Sequence, residues 1–360
     1  MKRILFVNTQ GKMGGAERSL AGLVKFLGHE FCLGVVCPLD GGLAEELRKI
    51  GVQVFDLHFA SNGKKGLMEF VRIAISNVDV FFSAVQFRAG VVHANGVRGV
   101  LSCVLWRVVL GRKLIWHVRD VPRRGLAVML AKYICDLAIA VSGFIEEELI
   151  SVGVKAGKIR IIYNGIENGA VCKKNAGNGV VTFAAVGQVV PWKKVELFIE
   201  AAEIAGRMRD NARFLVVGDD IFGNDARYRD GIAAKIAESD YRDRMRWVRW
   251  QADAGEVWAG IDVLVHAADR EPFGRVALEA GVHGAAVIAV DGGGPGEILT
   301  EGVSALLVEA DSAGRIAEAM VRLMDEGELR ERLSRGAYEV SRRYGIELTA
   351  EKVAMIYRGL

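Results

Sequence analysis

Short apolar runs alternate with longer amphipathic runs along the first half of the chain. The apolar runs have the length of strands, and the runs between them place apolar residues at helical spacing. The predicted strand and helix pairs are 4–7 with 16–27, 32–36 with 43–50, 91–93 with 97–110 and 114–117 with 126–135, followed by strands at 137–141 and 159–162. Alternation of this kind predicts a parallel sheet covered by helices.

A second alternation begins at Val180, after a polar stretch rich in Gly, Asn and Lys at 164–179. Its predicted pairs are 180–186 with 195–205, 214–217 with 228–236, 245–248 with 254–258 and 261–265 with 275–282, and the tail from Ala313 is helical. The pattern predicts two doubly wound domains, with a cleft between them where the carboxyl ends of the strands bind a ligand.

Composition agrees with two globular domains. The chain has 360 residues, of which 51% are hydrophobic and 25% charged, and this length is large for a single core. No apolar stretch approaches the roughly 18–20 residues needed to span a bilayer, and residues 1–10 have a strand pattern rather than that of a cleavable signal. Five scattered cysteines lack metal-pair spacing, so we expect free thiols and a cytoplasmic protein.

Charge is unevenly divided along the chain. Residues 1–170 contain 22 Lys and Arg against 14 Asp and Glu, whereas the remainder contains 25 against 30. Basic side chains beside predicted apolar helices are Arg107, Arg112, Lys113, Arg119, Arg123 and Arg124. They favour peripheral contact with an anionic membrane at its inner face, or an anionic acceptor, over nucleic acid, for which no binding motif is present. An ordinary solvated surface is the simpler alternative.

Two glutamates eight residues apart, Glu271 and Glu279, lie around the predicted start of the helix at 275–282. Pro272 and Gly274 set that start. The free N–H groups of a helix N-terminus, here those of Phe273, Gly274, Arg275 and Val276, form an anion site that suits a diphosphate. Glu279 is placed to accept hydrogen bonds from two vicinal hydroxyls, and Glu271 to face a sugar ring. The alternative is a solvated glutamate pair around an ordinary helix cap.

This segment, Glu-Pro-Phe-Gly-x-Val-x-x-Glu-Ala, is followed by 286–289 and by a glycine-rich stretch at 292–297. Together they resemble the signature of retaining glycosyltransferases of family 4, which have the GT-B fold. Further stretches that resemble the family are 14–17, 116–120, 163–166 and 186–194. The resemblance implies two facing Rossmann-like domains with an interdomain cleft: an acceptor-binding domain at 1–164, a linker at 165–179, a nucleotide-sugar-binding domain at 180–344, and a helix at 345–360 that crosses back to the first domain.

The resemblance also implies roles for individual residues. Lys193 resembles the phosphate-binding lysine and His117 the active-site histidine, and Glu271 completes the catalytic set. Donor-binding residues implied by position are Gly15, Gln188, Lys194, Asp219, Phe273, Gly274, Arg275, Val276 and Glu279. Arg119 and Asp120 are adjacent candidates for acceptor contacts. The turn around Gly15 does not match the dinucleotide fingerprint, since its glycines have the wrong spacing and no acidic residue ends the second strand.

Two departures from the family pattern affect the expected chemistry. Gln188 stands where the family usually has Arg, and Lys194 where it usually has Gly. A neutral amide cannot pair bidentately with a phosphate. Either Lys194 supplies the second charge, or the leaving group is stabilised less well.

The activity expected from these features is transfer of a sugar from a nucleoside-diphosphate donor to a hydroxyl of a lipid-linked, saccharide or small-molecule acceptor, with retention, in glycan, polysaccharide or glycolipid synthesis. No cofactor and no metal are expected, since no two aspartates are separated by one residue. His93, His266 and His283 are expected to be structural, and Trp250 to lie in the core. A nucleotide-sugar epimerase of the same fold and a non-catalytic nucleotide-sugar-binding protein remain alternatives.

Overall fold

We describe a computed structural model of the chain, which covers residues 1–58, 67–167, 179–249 and 254–360. The chain divides into two compact units: Met1–Gly165 together with Ile346–Leu360, and Ile166–Gly345. Trp250, Cys172 and most of the predicted linker lie outside the described residues. The expectation that Trp250 lies in the core therefore stays a prediction.

The first unit contains a parallel sheet of seven strands. The strands are β1 (Arg3–Val7), β2 (Cys32–Cys37), β3 (Gln53–Asp56), β4 (Val91–Asn95), β5 (Lys113–Val118), β6 (Leu137–Ala140) and β7 (Ile159–Ile161). Their order is β3-β2-β1-β4-β5-β6-β7. The chain therefore changes direction across the sheet between β3 and β4, so the carboxyl ends of β1 and β4 lie side by side at the point where such sheets bind ligands.

Helices connect these strands, as expected for parallel pairing. They are α1 (Gly15–Leu27), α2 (Gly42–Lys49), α3 (Leu67–Gln86), α4 (Gly96–Leu101), α5 (Val104–Leu110), α6 (Leu126–Ile134) and α7 (Gly143–Ser151). The single helix predicted at 97–110 is wrong, because the structure has two. At the break, Ser102 Oγ donates to Arg98 O at 3.0 Å and Cys103 Sγ donates to Gly99 O at 3.0 Å. Side chains that bond to carbonyls one turn back disturb a helix in this way.

The second unit contains a parallel sheet of six strands in the order β10-β9-β8-β11-β12-β13. The strands are β8 (Val181–Val186), β9 (Ala212–Val217), β10 (Met245–Val248), β11 (Val263–His266), β12 (Ala286–Val290) and β13 (Leu306–Val308). The helices are α8 (Val195–Met208), α9 (Ala226–Glu238), α10 (Ala254–Ala259), α11 (Arg275–Val282), α12 (Gly293–Ile298), α13 (Ala313–Asp325) and α14 (Gly327–Arg342). The neighbouring strands β8 and β11 position the candidate site.

Burial explains why the central strands read as continuous apolar runs. Residues Ile4, Leu5, Phe6 and Val7 of β1 are each 0% exposed. Helices therefore cover both faces of the strand, as in other all-parallel sheets. The two predicted α/β domains with parallel sheets are thus present.

The last helix, α15 (Ile346–Gly359), belongs to the first unit and packs against α1. Its Tyr357 is fully buried. At its end, the Arg358 guanidinium binds both carboxylate oxygens of Glu30, at 2.7 and 2.6 Å. The C-terminal residues therefore complete the first unit rather than the second. No helix among the described residues is long and apolar enough to cross a membrane.

A close approach between α11 and α14 fixes the helix that carries Glu279. A Cβ added at Gly281 would lie 2.3 Å from Ser341 Oγ and 2.4 Å from Ala337 O. Ser341 Oγ also donates to Leu278 O at 2.8 Å. Only glycine allows the two backbones to come this close.

We predict that Gly281→Ala destabilises the protein by about 1–3 kcal/mol, because the added methyl overpacks this contact. The matched control is Gly231→Ala inside α9, where an added Cβ meets nothing within 4 Å. It should stabilise by about 0.5–1 kcal/mol, since alanine is the better helix former. Urea unfolding measures both changes, and effects of the same sign would contradict the close approach.

Candidate functional site

A small pocket opens at the carboxyl edge of the second sheet. Its polar lining comes from Gly187 and Gln188, which follow β8, from Lys193, and from His266 at the end of β11. Valine and alanine side chains from β8, β9 and β11 form its apolar floor. The pocket lies where ligands bind in sheets of this kind.

Lys193 is held at the mouth of this pocket by a single 3₁₀ turn, Pro191–Lys193. Proline presets the backbone of the turn, and Lys193 N donates to Val190 O at 3.0 Å. The ammonium lies 4.4 Å from the centre of the Trp192 ring. An aromatic face attracts a cation, so the ring helps to fix where the charge sits.

Glu271 forms a short ion pair with Lys193, between Lys193 Nζ and Glu271 Oε2. The side chains are only 16% and 13% exposed. Burial alone would raise the pKa of Glu271, but the Lys193 charge and the nearby His266 ring outweigh it and lower that pKa to about 2. The pair therefore keeps a carboxylate and an ammonium charged in a largely dry place.

His266 was predicted to be structural, and the structure places it beside this pair. Its Nε2 lies 3.4 Å from Glu271 Oε2, and the residue is 5% exposed. Neither ring nitrogen has a well-aligned hydrogen-bond partner among the described residues. His266 therefore belongs to the candidate site. Its position after an apolar strand was the one signal for this in the sequence.

The glycine-rich segment 292–297 contacts the loop that carries Glu271 and holds it in position. Gly294 N donates to Glu271 O at 2.8 Å, and a Cβ on Gly294 would lie 2.3 Å from the Cα of Phe273. Phe273 itself is buried and packs edge-on against Tyr344, with ring centres 5.8 Å apart. The segment thus acts on the site indirectly, by allowing two backbones to touch.

The start of α11 has the features of an anion site. Its N-cap, Gly274, has a left-handed backbone with φ of +90°, and no described side chain caps the helix. The first N–H groups of a helix lack partners within it, so those around Arg275 and Val276 point towards any anion bound at this end. Arg275 Nη2 lies 3.2 Å from Glu279 Oε1. The carboxylate of Glu279 therefore lies on the same face of α11 as Arg275.

Lys194 does not present a free second charge to this site. Its Nζ lies 2.9 Å from Asp269 Oδ1 and 2.6 Å from Asp311 Oδ1. Burial opposes the charge, but the two carboxylates raise the pKa of Lys194. Its φ is +52°, a conformation that glycine adopts without strain. Because Asp269 and Asp311 already pair with its ammonium, the structure favours the alternative in which the leaving group is stabilised less well.

Gln188 and Asp219 lie at the same edge. Gln188 lines the pocket, and its side chain makes no hydrogen bond with another described residue. Asp219 follows β9, where its carbonyl accepts from Val189 N at 3.1 Å and its carboxylate accepts from Asp220 N at 2.8 Å. Asp219 therefore ties the two neighbouring loops together.

In the first unit, the glycine turn before α1 is organised by Glu17. Its carboxylate accepts from Gly14 N at 3.1 Å and from Asn8 Nδ2 at 3.3 Å. Burial raises the pKa of Glu17, although these hydrogen bonds oppose the change. A Cβ on Gly15 would meet nothing within 4 Å, so the backbone there faces open space.

His117 is the penultimate residue of β5 and is fully buried. Its Nδ1 lies 3.0 Å from His93 Nε2 and 3.4 Å from Arg119 Nη2, while its Nε2 has no partner among the described residues. Burial and the Arg119 charge lower the pKa of His117 well below its ordinary value.

Arg119 was proposed to contact an acceptor, and its burial argues against this. It is 7% exposed, and its guanidinium donates to Asn95 Oδ1 at 3.0 Å, Ser19 Oγ at 2.7 Å and Asn164 Oδ1 at 2.8 Å. The side chain thus organises the buried polar groups of the first unit.

A further histidine, His283, follows α11. His283 Nδ1 lies 2.8 Å from Glu279 O, and its ring stacks on Trp258. Within the described ranges, no group of three or more His, Cys, Asp or Glu side chains is placed to hold a metal ion.

A parallel sheet in each unit and a carboxylate and lysine at one strand edge define a nucleotide-binding type of α/β protein. A sequence model described as Glycosyltransferase Family 4 matches residues 13–168, and one described as Glycosyl transferases group 1 matches residues 172–340. Together the two matches cover most of the sequence, and the chain belongs to glycosyltransferase family 4.

Curated relatives match parts of the chain. A D-inositol 3-phosphate glycosyltransferase from Kribbella flavida is 26% identical over 257 residues, 67% of this chain and 60% of that protein. The lipopolysaccharide core biosynthesis glycosyltransferase LpsD from Rhizobium meliloti is 31% identical over 150 residues, 40% of this chain and 42% of that protein. The matches thus span less than two thirds of these relatives' length.

Solved structures show the fold. Anabaena Alr3699/HepE in complex with UDP-glucose superposes with a TM-score of 0.86 at 22% identity, covering 100% of both chains. Sucrose-phosphate synthase from Thermosynechococcus elongatus has a TM-score of 0.84 at 18% identity, covering 100% of this chain and 99% of the other. These likenesses confirm the predicted GT-B class.

The ion pair between Lys193 and Glu271 makes a prediction about stability and pH. In the wild type, the lowered Glu271 pKa contributes stability above its unfolded value, and this is lost as pH falls through about 2. In Lys193→Met, burial acts unopposed by the lysine, so we expect the Glu271 pKa to rise. The variant should lose about 3 kcal/mol at pH 7, the lower end for breaking a buried pair, and less at pH 4, where Glu271 takes up a proton.

Urea unfolding at both pH values measures this effect, and Lys193→Met combined with Glu271→Gln should recover part of the loss. The control, Lys235→Met, breaks the exposed Lys235–Glu200 pair and should cost under about 1 kcal/mol at either pH. Equal losses for Lys193→Met at pH 7 and pH 4 would contradict the buried pair.

Proposed function

We propose that this protein is a retaining, metal-independent glycosyltransferase that moves a sugar from a nucleoside-diphosphate sugar to an acceptor hydroxyl. The observation that carries the proposal is the buried pair of Lys193 and Glu271 beside the uncapped start of α11. A cation, a carboxylate and the N-terminus of a helix lie at one strand edge of a family 4 glycosyltransferase. Each matches one part of such a donor.

The chemistry requires negative charge to be stabilised on the departing phosphate while positive charge develops at the anomeric carbon. Lys193 and the N–H groups at the start of α11 stabilise the departing diphosphate. Glu271 stabilises the sugar side, and Glu279 accepts hydrogen bonds from the ribose. The departing phosphate oxygen takes the proton of the acceptor hydroxyl as the new glycosidic bond forms, so no protein nucleophile is needed.

We propose that the donor is a nucleoside-diphosphate hexose. The similar HepE structure, which is a complex with UDP-glucose, supports this proposal. The curated relatives act in the synthesis of inositol glycosides and lipopolysaccharide core. In keeping with these names, we propose a role in glycan, polysaccharide or glycolipid synthesis, and a location in the cytoplasm.

Product analysis tests this function. The protein is incubated with a panel of nucleotide sugars and acceptors, with and without EDTA, and products are identified by mass spectrometry and NMR. We expect a glycoside with the anomeric configuration of the donor and the same rate in EDTA. Loss of activity in EDTA that manganese restores would overturn the metal-free mechanism. Conversion of the donor sugar without an acceptor would identify an epimerase, and binding without turnover a non-catalytic protein.

Glu279→Ala should weaken binding of the nucleoside diphosphate by about 2–4 kcal/mol, because charge-assisted hydrogen bonds to the ribose are lost. The matched control is Glu318→Ala on α13, whose carboxylate also pairs with an arginine of its own helix. Calorimetry should show wild-type affinity for the control. Unchanged affinity in a folded Glu279→Ala protein would remove Glu279 from the donor site.

We also propose that the first unit docks on an anionic lipid bilayer. The contacting helices α3 and α5, together with α6, expose large apolar side chains in the first unit. Phe70 and Phe82 are each 66% exposed, and Val108 and Tyr133 are each 72% exposed. Large exposed apolar side chains on these helices favour a membrane over an acidic saccharide.

The predicted basic residues flank these apolar side chains. Arg112 and Lys113 follow α5, and Arg123 and Arg124 precede α6. Several are tied to local groups: Arg107 binds Asp136, Arg112 donates to Ala89 O and Arg124 donates to Ser151 O. Asp136 pairs with both Arg107 and Lys113 and offsets one of their two charges, whereas Arg112 and Arg124 donate to carbonyls and keep theirs. The surface therefore remains basic and complementary to anionic lipid headgroups.

Flotation with vesicles that contain phosphatidylglycerol tests the docking surface. Association should fall steeply from low to high salt, because screening shortens the reach of charge to about 8 Å at physiological ionic strength. Phe82→Ser combined with Val108→Ser should also abolish it, while Leu348→Ser with Met355→Ser, exposed on α15, should not. Association that follows salt but ignores the apolar change would show that charge alone holds the protein at the lipid surface, and would contradict the role of the apolar side chains. If the protein did not associate with the vesicles even at low salt, the proposed docking surface would be wrong.

A further inference from the structure

A buried chain of hydrogen bonds links the C-terminal helix to His117. Tyr357 on α15 lies with its hydroxyl 2.5 Å from His93 Nδ1, and His93 Nε2 lies 3.0 Å from His117 Nδ1. All three side chains are 0% exposed. Each imidazole nitrogen in the chain either donates or accepts, so the order of the protons decides what the last nitrogen, His117 Nε2, does.

The Arg119 end of this hydrogen-bond chain favours one proton order. Arg119 Nη2 approaches His117 Nδ1 at 3.4 Å with hydrogen-bond geometry. A guanidinium has no lone pair to offer and can only donate. His117 Nδ1 is therefore an acceptor, and the proton of the neutral ring is on Nε2. Since His117 Nδ1 accepts, His93 Nε2 donates to it, and His93 Nδ1 is left to accept from the Tyr357 hydroxyl.

The Tyr357 end of the hydrogen-bond chain independently supports the same proton order. Among the described residues, His93 Nδ1 is the one hydrogen-bond partner of the Tyr357 hydroxyl. In the opposite proton order, His93 Nδ1 would donate to Tyr357, and the buried hydroxyl proton would have no acceptor. Leaving a buried donor unpaired costs about 1–3 kcal/mol. Burial also favours neutral rings, and it lowers the pKa of His93 to about 3.

We infer that Tyr357 is a positioning residue that, through His93, holds His117 as a neutral imidazole with its proton on Nε2. His117 Nε2–H is then a fixed donor, fully buried and without a partner among the described residues. Asn95 Nδ2 is a second such donor, on the strand residue paired with His117 in the sheet register. Two adjacent buried donors suit a ligand group rich in acceptor oxygens.

The chemical consequence rests on the proposed function. A neutral imidazole with a proton on Nε2 donates a hydrogen bond to a sugar hydroxyl oxygen, but it has no lone pair there to take a proton from an acceptor hydroxyl. His117 Nε2–H is therefore a hydrogen-bond donor to a sugar hydroxyl, and His117 is excluded as the general base. This agrees with a mechanism in which the departing phosphate receives the proton.

Long-range ¹H–¹⁵N correlation spectra of protein labelled with ¹⁵N-histidine test the proton order without any assay of activity. Single replacements of His29, His58, His266 and His283 by Gln assign the two remaining rings. We expect both His93 and His117 to be neutral from pH 5 to pH 8, with protonated Nε2 and bare Nδ1. A proton on Nδ1 of either ring would overturn the inference whatever the protein's activity.

Tyr357→Phe tests the positioning role, because it removes the hydroxyl while keeping the buried ring. With the hydroxyl gone, only the long 3.4 Å contact with Arg119 still favours the original proton order, so both rings should show a measurable share of the opposite tautomers. We expect kcat to fall roughly tenfold, the lower end for losing a group that orients a histidine, with little change in donor KM. The matched control is Thr349→Val, which removes a buried hydroxyl of the same helix that donates to Tyr163 O.

The control should keep wild-type tautomers and turnover. If Tyr357→Phe leaves the ring signals unchanged, Tyr357 has no positioning role. If the tautomers change as expected but no donor is ever turned over, the proton order stands and the proposed function fails.

Discussion

The ion pair between Lys193 and Glu271 is the interaction on which the candidate site depends. Two charges in a largely dry place are tolerated only when each satisfies the other. The fold positions both partners. A proline turn and the Trp192 ring hold Lys193, and the hydrogen bond from Gly294 N to Glu271 O holds the loop that carries Glu271. The site is therefore formed before any ligand arrives, which reduces the cost of ordering it on binding.

The two units use opposite chemistry at their strand ends. The second unit collects full charges, with Lys193, Glu271 and Arg275 paired at one edge. At the corresponding edge of the first unit, His117 and His93 are neutral and bound into a hydrogen-bond chain. A charged group suits a diphosphate, whereas neutral donors suit hydroxyl oxygens.

Much of the fold was predictable from hydrophobic periodicity. The helix predicted at 275–282 is observed as Arg275–Val282, because apolar spacing, Pro272 and Gly274 all mark the same start. The short strand β3 and the helices α3 and α7 were not predicted, and the break between α4 and α5 was missed. That break depends on side-chain bonds from Ser102 and Cys103, which compete locally with the helix.

Site residues could be predicted from the sequence only where a local sequence motif determines their role. The left-handed backbone of Lys194 and its pairing with Asp269 and Asp311 depend on loops far apart in the chain. The same holds for His266, whose position beside Glu271 comes from strand pairing rather than from a motif. Tertiary contacts of this kind leave no local pattern to read.

The most direct measurement for the central claim is calorimetric titration of nucleoside diphosphates and the matching monophosphates into the wild type and Lys193→Met. If Lys193 holds the departing phosphate, the wild type should prefer the diphosphate by roughly 10–100-fold, the value of one charge-assisted hydrogen bond. The variant should lose most of this preference and keep only the part that the N–H groups at the start of α11 supply. An undiminished preference in the folded variant would contradict the account, because something other than Lys193 would then recognise the second phosphate.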